Sequence, residues 1–199
     1  HPISPYIYGM STGPGGEDYV RGAGLTLVRW GGNRSSVYNW RIDADSAGND
    51  WYYLNGGSGD TNHTRDWAVA NASAGAASFL SVPVLDWVAK DLTSYSYSVA
   101  RYGAQLAASP YNSDQGNGLT PATNRITTND PHDAFVPSRP APGTGDPTGT
   151  VYQCQWLADL KARLGNAAEE AIPFVCLDNE LEIASGTHQD VHPAAVTYD

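Results

Sequence analysis

The sequence predicts an α/β fold, a parallel sheet with helices packed outside it. Short runs that are apolar on both faces recur along the chain: LTLVRW (25–30), FLSVPVLD (79–86) and AIPFVCL (171–177). Such runs suit strands of a sheet covered on both sides. Helix-forming stretches alternate with them, and strands joined by helical crossovers pair in parallel.

The elements follow in order. Residues 3–8 read as the first strand, with Pro5 inside it and Gly9 closing it. A Gly/Pro cluster (13–16) leads to an acidic turn and a short helix over 17–21. The second strand, 25–30, stops at Gly31 and Gly32. Residues 66–78 are Ala-rich and read as a helix with Asp66 near its start. The third strand spans 79–86, where Pro83 demands a bulge or an unusual register. A helix spans 151–164, with Val151, Cys154, Leu157, Leu160 and Leu164 at helical spacing and Gly165 as its stop. The fourth strand, 171–177, runs straight into Asp178, Asn179 and Glu180.

Residues 92–150 fit this scheme least. A helix over 95–108 is followed by sequence loaded with Pro, Asn, Gly, Thr and Asp. A loop this long in a compact domain is functional or mobile. It leaves the carboxyl end of the third strand, the side on which such sheets hold ligands.

Composition removes several function classes. The net charge of −10 would repel a polyanion, which argues against nucleic acid as a partner. No stretch approaches the roughly 20 apolar residues of a membrane span. A chain of 199 residues suits one domain, or two small ones. Only 16% of residues are charged and 11% are aromatic, which is compatible with a surface for neutral sugars. His1 is followed at once by strand-like sequence, so an export signal is expected to have been removed or to lie outside these residues. Cys154, in a helix, and Cys176, in an apolar run, read as two buried thiols rather than a disulfide.

Asp178-Asn179-Glu180 ends an apolar strand, where side chains are held rigidly at a cavity mouth. Partial burial there would keep a carboxylic acid protonated for general acid work. An adjacent Asn offers the donor and acceptor that a sugar hydroxyl pair needs. By itself the tripeptide also reads as the start of a polar loop.

The segments ISPYIYG, LVRWGGNRSSVYNW, SAGNDWYY, VPVLDWVAKD, YSVARYG, DQGNG, TTNDP, FVCLDNE and THQDVHP occur in this order over nearly the whole chain. Together they resemble the catalytic domain of glycoside hydrolase family 44, secreted β-1,4-glucanases and xyloglucanases. The resemblance implies a (β/α)8 barrel of TIM type, with residues 1–199 as its amino-terminal half and about the first four strand-helix units. It implies a retaining endo-β-1,4-glucanase acting on cellulose-like β-glucan or xyloglucan. Glu180 would be the general acid/base and Asn179 the partner of the sugar 2-hydroxyl. Retention needs a second carboxylate as nucleophile, which the family carries on its seventh strand, beyond residue 199. The 199 residues alone are then expected to be inactive, with a second polypeptide or a carboxy-terminal half completing the barrel. A nucleophile within the chain, from Asp43, Asp45, Asp86 or Asp91, is the alternative. A non-catalytic carbohydrate-binding or structural protein is a further one. The chain departs from the family at Leu181, Glu182, Ile183 and Ala184, where the family continues with Pro and soon a Trp. Glu182 reads as a loop residue.

Aromatic rings pack on the apolar faces of pyranoses. Trp40 and Trp51, in polar segments after the second strand, are the candidate cleft residues beside Trp30, Tyr52 and Tyr53; Trp67, Trp87 and Trp156 read as core. Arg29 and Arg34 flank Gly31, Gly32 and Asn33, and Arg29 and Asn33 complete the candidate substrate-binding set. A guanidinium at a strand end can hold a nucleophilic carboxylate ionised or form a structural ion pair. His188 and His192 are spaced like metal ligands, but no Glu lies between them and Pro193 follows. His1 is not read as a copper ligand. No cofactor is required; a structural divalent cation such as calcium is compatible with the polar loops. Asn33, Asn62 and Asn71 begin N-x-S/T triplets, relevant only in a glycosylating host.

Overall fold

The computed structural model describes residues 2–11, 16–165 and 171–197. Four strands lie side by side in chain order: β1 (Gly9–Ser11), β2 (Leu27–Trp30), β3 (Ala77–Val82) and β4 (Phe174–Leu177). Every neighbouring pair is parallel. Helices α1 (Gly16–Gly22), α2 (His63–Ser73) and α3 (Gln153–Leu164) lie in the three successive crossovers, as parallel pairing requires. All four carboxyl ends therefore open on one face.

The first strand begins later than expected. Residues Pro5–Ile7 form a 3-10 turn, and the Ser4 hydroxyl accepts the Tyr6 N–H at 3.3 Å. Pro5 has no N–H to give to a ladder, and its fixed φ suits the first position of a helical turn. Pairing starts at Gly9, opposite Leu27. At the other end of the unit, α2 stops at Ser73 and Ala77 enters the ladder opposite Leu27. β3 ends at Val82, immediately before Pro83.

Helix α3 also turns a different face inward. Gln153, Trp156 and Leu160 are buried, whereas Cys154 and Leu157 are exposed. The indole of Trp156 is the largest apolar group on the helix and decides its rotation. It packs against Tyr38 at 5.3 Å and donates to the Thr64 hydroxyl at 3.3 Å. The expectation of two buried thiols therefore fails for Cys154. Cys176 is half-buried, and neither cysteine is bridged.

The core behind the sheet is aromatic. Tyr38, Leu80, Val82, Trp156 and Leu160 form its centre, with Trp30 and Trp67 packed against it. Trp30 meets Tyr38, His63 and Trp67 edge-on at 5.3–5.8 Å.

Residues 92–150 are built rather than loose. The helix expected over 95–108 shrinks to one turn, Val99–Tyr102, capped by Ser98 and closed at Gly103. Its flanks pair instead: Tyr95 bridges to Leu54 and Ser98 to Gln115. A hairpin joins Ala108–Ser109 to Asn112–Gly116. Phe135–Arg139 is the middle of a small sheet, antiparallel to Trp87–Ala89 and parallel to Val151–Tyr152. Phe135 and Ala134 are buried there with Val37, Leu85 and Ala184.

β4 departs from the two-sided burial expected of its sequence. Among the described residues it pairs with β3 alone, and Phe174, Val175 and Leu177 are 40%, 46% and 69% exposed. Phe174 keeps edge-on ring contacts with Tyr6 and Phe79, while Leu177 is the most exposed residue of the strand.

Candidate active site

The site is assembled where β2 and β4 end. Asp178 leaves β4 in the left-handed region (φ 65°) and Glu180 does so again (φ 51°). Non-glycine residues pay strain to sit there, and strain of this kind concentrates at functional sites. What holds the turn is the buried Asp178 carboxylate. One oxygen accepts the Val84 N–H and the other the Asn179 N–H, both at 2.7 Å, while the Asp178 N–H donates to the Val82 carbonyl. The end of β4 is thus latched to the segment just beyond β3.

Arg29, one residue before the end of β2, reaches across to this turn. Its guanidinium donates to Asn179 Oδ1 at 2.5 Å, which directs the amide nitrogen of Asn179 to Glu180 Oε2 at 3.1 Å. The Ser36 hydroxyl donates to the Asn179 carbonyl at 3.4 Å. Arg29 has room to do this because residue 31 is glycine. A β-carbon there would lie 2.5 Å from Arg29 Cζ and 2.7 Å from Ser81 Oγ. The resulting row, Arg29–Asn179–Glu180, leaves one amide proton of Asn179 and one carboxylate oxygen of Glu180 for a ligand. Glu180 is exposed, so the partial burial expected of it is not provided by these residues.

The other acidic candidates are committed elsewhere. Asp43 is buried, accepting from Tyr38 at 2.7 Å and from Ser58. Asp45 pairs with Arg34 at 2.5 Å and Asp86 with Arg139 at 3.3 Å. Asp91 caps the turn at Thr93 and Ser94. Glu182 is exposed in the 3-10 turn Leu181–Ile183, so strand geometry does not carry it to the side of Glu180.

The aromatic candidates separate. Trp51 is 41% exposed and meets Tyr52 edge-on at 5.4 Å. Tyr111, from the hairpin, lies 6.2 Å away with its ring tilted 35° and is 87% exposed. Trp51 and Tyr111 make an open platform, with Tyr52 edge-on to Trp51 beside it. Trp40 differs from expectation: it packs on the Tyr38–Trp156 cluster, its indole N–H is buried, and the Arg41 guanidinium covers its ring at 5.7 Å. Trp30 and Tyr53 belong to the core as well. The Asn33 amide nitrogen donates to Ala47 O at 3.2 Å and Asp50 Oδ2 at 2.9 Å. Asn71 is buried on Ser78, out of reach of any glycosylating enzyme in the folded chain. His1 lies outside the described residues. No cluster of three or more metal-ligating side chains occurs among the described residues.

Residues 44–199 match the model of glycoside hydrolase family 44. The chain belongs to that family. Endoglucanase A of Paenibacillus lautus is 31% identical over 203 residues, covering 96% of this chain and 25% of that protein. A beta-mannanase/endoglucanase A of Caldicellulosiruptor saccharolyticus is 27% identical, covering 98% and 14%. Among solved structures, CelM2, a bifunctional glucanase-xylanase from a metagenome library, superposes with a TM-score of 0.85 at 31% identity, over 99% of this chain and 37% of that one. A Paenibacillus polymyxa xyloglucanase of the family shares the fold at a TM-score of 0.67 and 23% identity, over 98% and 36%. The family 44 chain spans about a third or less of the length of these relatives, and its parallel array is part of a TIM-type barrel.

Several residues of this family 44 site carry little signal in the sequence alone. Asp178 stood in the motif with no task; an acidic side chain between an apolar strand and Asn-Glu was the available signal. Gly31 has the look of a strand stop in the sequence, while its smallness is what admits Arg29. Nothing local marks Tyr111, which becomes significant only because the hairpin folds onto Trp51.

A buried carboxyl lies beside His188. Asp190 accepts the Ser96 hydroxyl at 2.6 Å and is 2% exposed. Burial raises its pKa, against the opposing pull of the His188 ring and the Ser96 hydrogen bond. The folded chain therefore holds this proton more tightly than the unfolded chain, whose carboxyl titrates near 3.8. Stability from this group is full below that value and is lost as pH rises through the raised one. Asp190→Asn is expected to melt above the wild type at pH 7, by a few degrees, and no higher at pH 4. Parallel melting-pH curves for the two proteins would refute this.

Proposed function

We propose that this chain is the Glu180-bearing part of a retaining endo-β-1,4-glucanase that hydrolyses cellulose-like β-glucan or xyloglucan. The observation that carries the reading is the hydrogen-bonded row Arg29–Asn179–Glu180 across the carboxyl ends of β2 and β4. Family membership and the names of the relatives support the substrate class. Glu180 would protonate the glycosidic oxygen as the bond to C1 breaks, while a carboxylate about 5–5.5 Å away attacks C1 from the other face. Glu180, now ionised, would then take a proton from the water that releases the sugar. Asn179, oriented by Arg29, would donate its remaining amide proton to the 2-hydroxyl, and Trp51 with its neighbours would stack the chain of sugars.

The nucleophile is proposed to lie beyond residue 199, since Asp43, Asp45, Asp86 and Asp91 are each engaged elsewhere. Residues 1–199 alone are accordingly expected to release no reducing ends. The free edge and exposed apolar residues of β4 suit continued pairing with further barrel strands. A polymeric substrate outside the cell makes secretion the matching location.

The test is hydrolysis of β-1,4-glucan and xyloglucan by the full-length protein, with the anomeric form of the first product read by NMR. A β-anomer is expected; an α-anomer would overturn retention. Oligoglucan binding without hydrolysis would favour the carbohydrate-binding alternative. Gly31→Ala sharpens the role of the row. The added methyl displaces the Arg29 guanidinium from Asn179, so kcat is expected to fall by about 10–100-fold. Unchanged turnover in a folded variant would remove Arg29 from the mechanism.

A further inference from the structure

We infer that His188 is a positioning residue, one that acts through Asn33 to set the Trp51 platform against the Glu180 turn. The inference rests on the glucanase reading above and adds the device that aligns the sugar platform with the catalytic strand end.

Trp51 closes a 3-10 turn, Gly48–Trp51, and its ring is 41% exposed, so where it stands depends on how that turn is anchored. Two hydrogen bonds from the Asn33 amide hold that turn at both ends, one on Ala47 O and one on Asp50 Oδ2. Asn33 is held in turn from below. Its carbonyl lies 2.8 Å from His188 Nε2. A carbonyl oxygen only accepts, so Nε2 carries the proton and the imidazole is the donor.

His188 is suited to bear this load. Its side chain is 1% exposed, and its backbone N–H donates to Ala184 O at 2.8 Å. Residues 184–187 form one helical turn, which follows directly on the 3-10 turn that begins after Glu180. The contact with the platform turn is equally close. Gly48 sits in the left-handed region (φ +53°), and a β-carbon there would lie 2.3 Å from Thr187 O and 2.9 Å from His188 Cε1. The platform turn is therefore seated directly on the His188 turn, without space for a side chain between them. From Glu180 to Trp51 the path runs through short helical turns, one buried ring and three hydrogen bonds. A sugar chain that must lie on Trp51 and present its bond to Glu180 depends on that path staying rigid.

The test compares His188→Ala, Trp51→Ala, their double variant and His188→Gln in the full-length protein on polymeric β-1,4-glucan. His188→Ala and Trp51→Ala are each expected to raise KM about tenfold with little change in kcat, and the double variant to be no worse than either alone. Gln can donate an N–H to the Asn33 carbonyl, so His188→Gln should recover most of the affinity. Additive effects in the double variant, or a fall in kcat with KM unchanged, would overturn the inference. Amide hydrogen exchange supplies a readout independent of hydrolysis. Residues 47–54 should exchange about tenfold faster in His188→Ala and return towards wild type in His188→Gln; unchanged exchange overturns the inference even if no glucan is cleaved. A wild-type protein that leaves glucan intact counts against the glucanase reading alone. Should His188→Ala fail to fold, Asn33→Ala breaks the same path from the solvent side, and an unaltered exchange rate over 47–54 in that variant is equally fatal.

Discussion

Replacing Glu180 with Gln in the full-length protein is expected to lower kcat on β-1,4-glucan by about 10²–10⁴-fold, the range over which a positioned general acid/base contributes. Gln has the same shape and keeps an oxygen for the Asn179 amide, so the row from Arg29 survives. What is lost is the proton. Glycosidic oxygens of poor leaving ability need that proton as the bond to C1 breaks, whereas an aryl leaving group needs it far less. The deficit should therefore shrink on aryl glycosides with acidic phenols, and added azide should restore turnover by replacing activated water. Because Glu180 is exposed and its carboxylate accepts no backbone hydrogen bond among the described residues, the melting temperature should hardly move. A variant that hydrolyses polymeric glucan at the wild-type rate would end the assignment, and one that loses activity by unfolding would show it in the melt.

Asp178→Ala is the second large effect, and it should appear in stability before it appears in catalysis. The Asp178 carboxylate is 2% exposed and satisfies two backbone N–H groups, those of Val84 and Asn179. Truncation leaves two part-buried donors without their acceptor, at up to about 1–3 kcal/mol each. For a chain of this size that is roughly 4–20 °C in melting temperature. Residue 178 would also lose its reason to hold φ at 65°, so Asn179 and Glu180 would drift from Arg29 and kcat would fall in the surviving folded fraction. Asp178→Asn is the informative companion. It retains one acceptor oxygen but sets an amide against the other N–H, so it should fall between wild type and Ala. An Asp178→Ala variant with unchanged melting and turnover would show that the turn is held by other means.

The contrast between these two carboxylates bears on what a sequence can disclose. Glu180 was legible because it ends an apolar run inside a recognisable motif, and chemistry needs an acid there. Asp178 has the same visibility, yet its task depends on where the backbone of Val84 lies, 94 positions away in the chain. Arg29 and Asn179 are both visible at strand ends in the sequence, but their mutual hydrogen bond spans 150 positions and exists only because β2 and β4 flank β3. Trp40 and Trp51 looked alike, each in a polar aromatic segment. Packing drew Trp40 under Arg41 and onto the core, and left Trp51 in the open beside Tyr111.

The sequence by itself determined the order and type of the barrel elements, because apolar runs and helix periodicity are local properties of a chain. It also determined that Asp178, Asn179 and Glu180 directly follow the fourth strand. Boundaries, helix rotation and the status of each aromatic were decided by tertiary structure. Proline moved the first strand by withholding a donor, and Trp156 turned α3 by claiming the buried face. The exposed apolar face of β4 shows the same division. Its residues encode a strand meant for burial, while the neighbours present decide how much of that burial is realised.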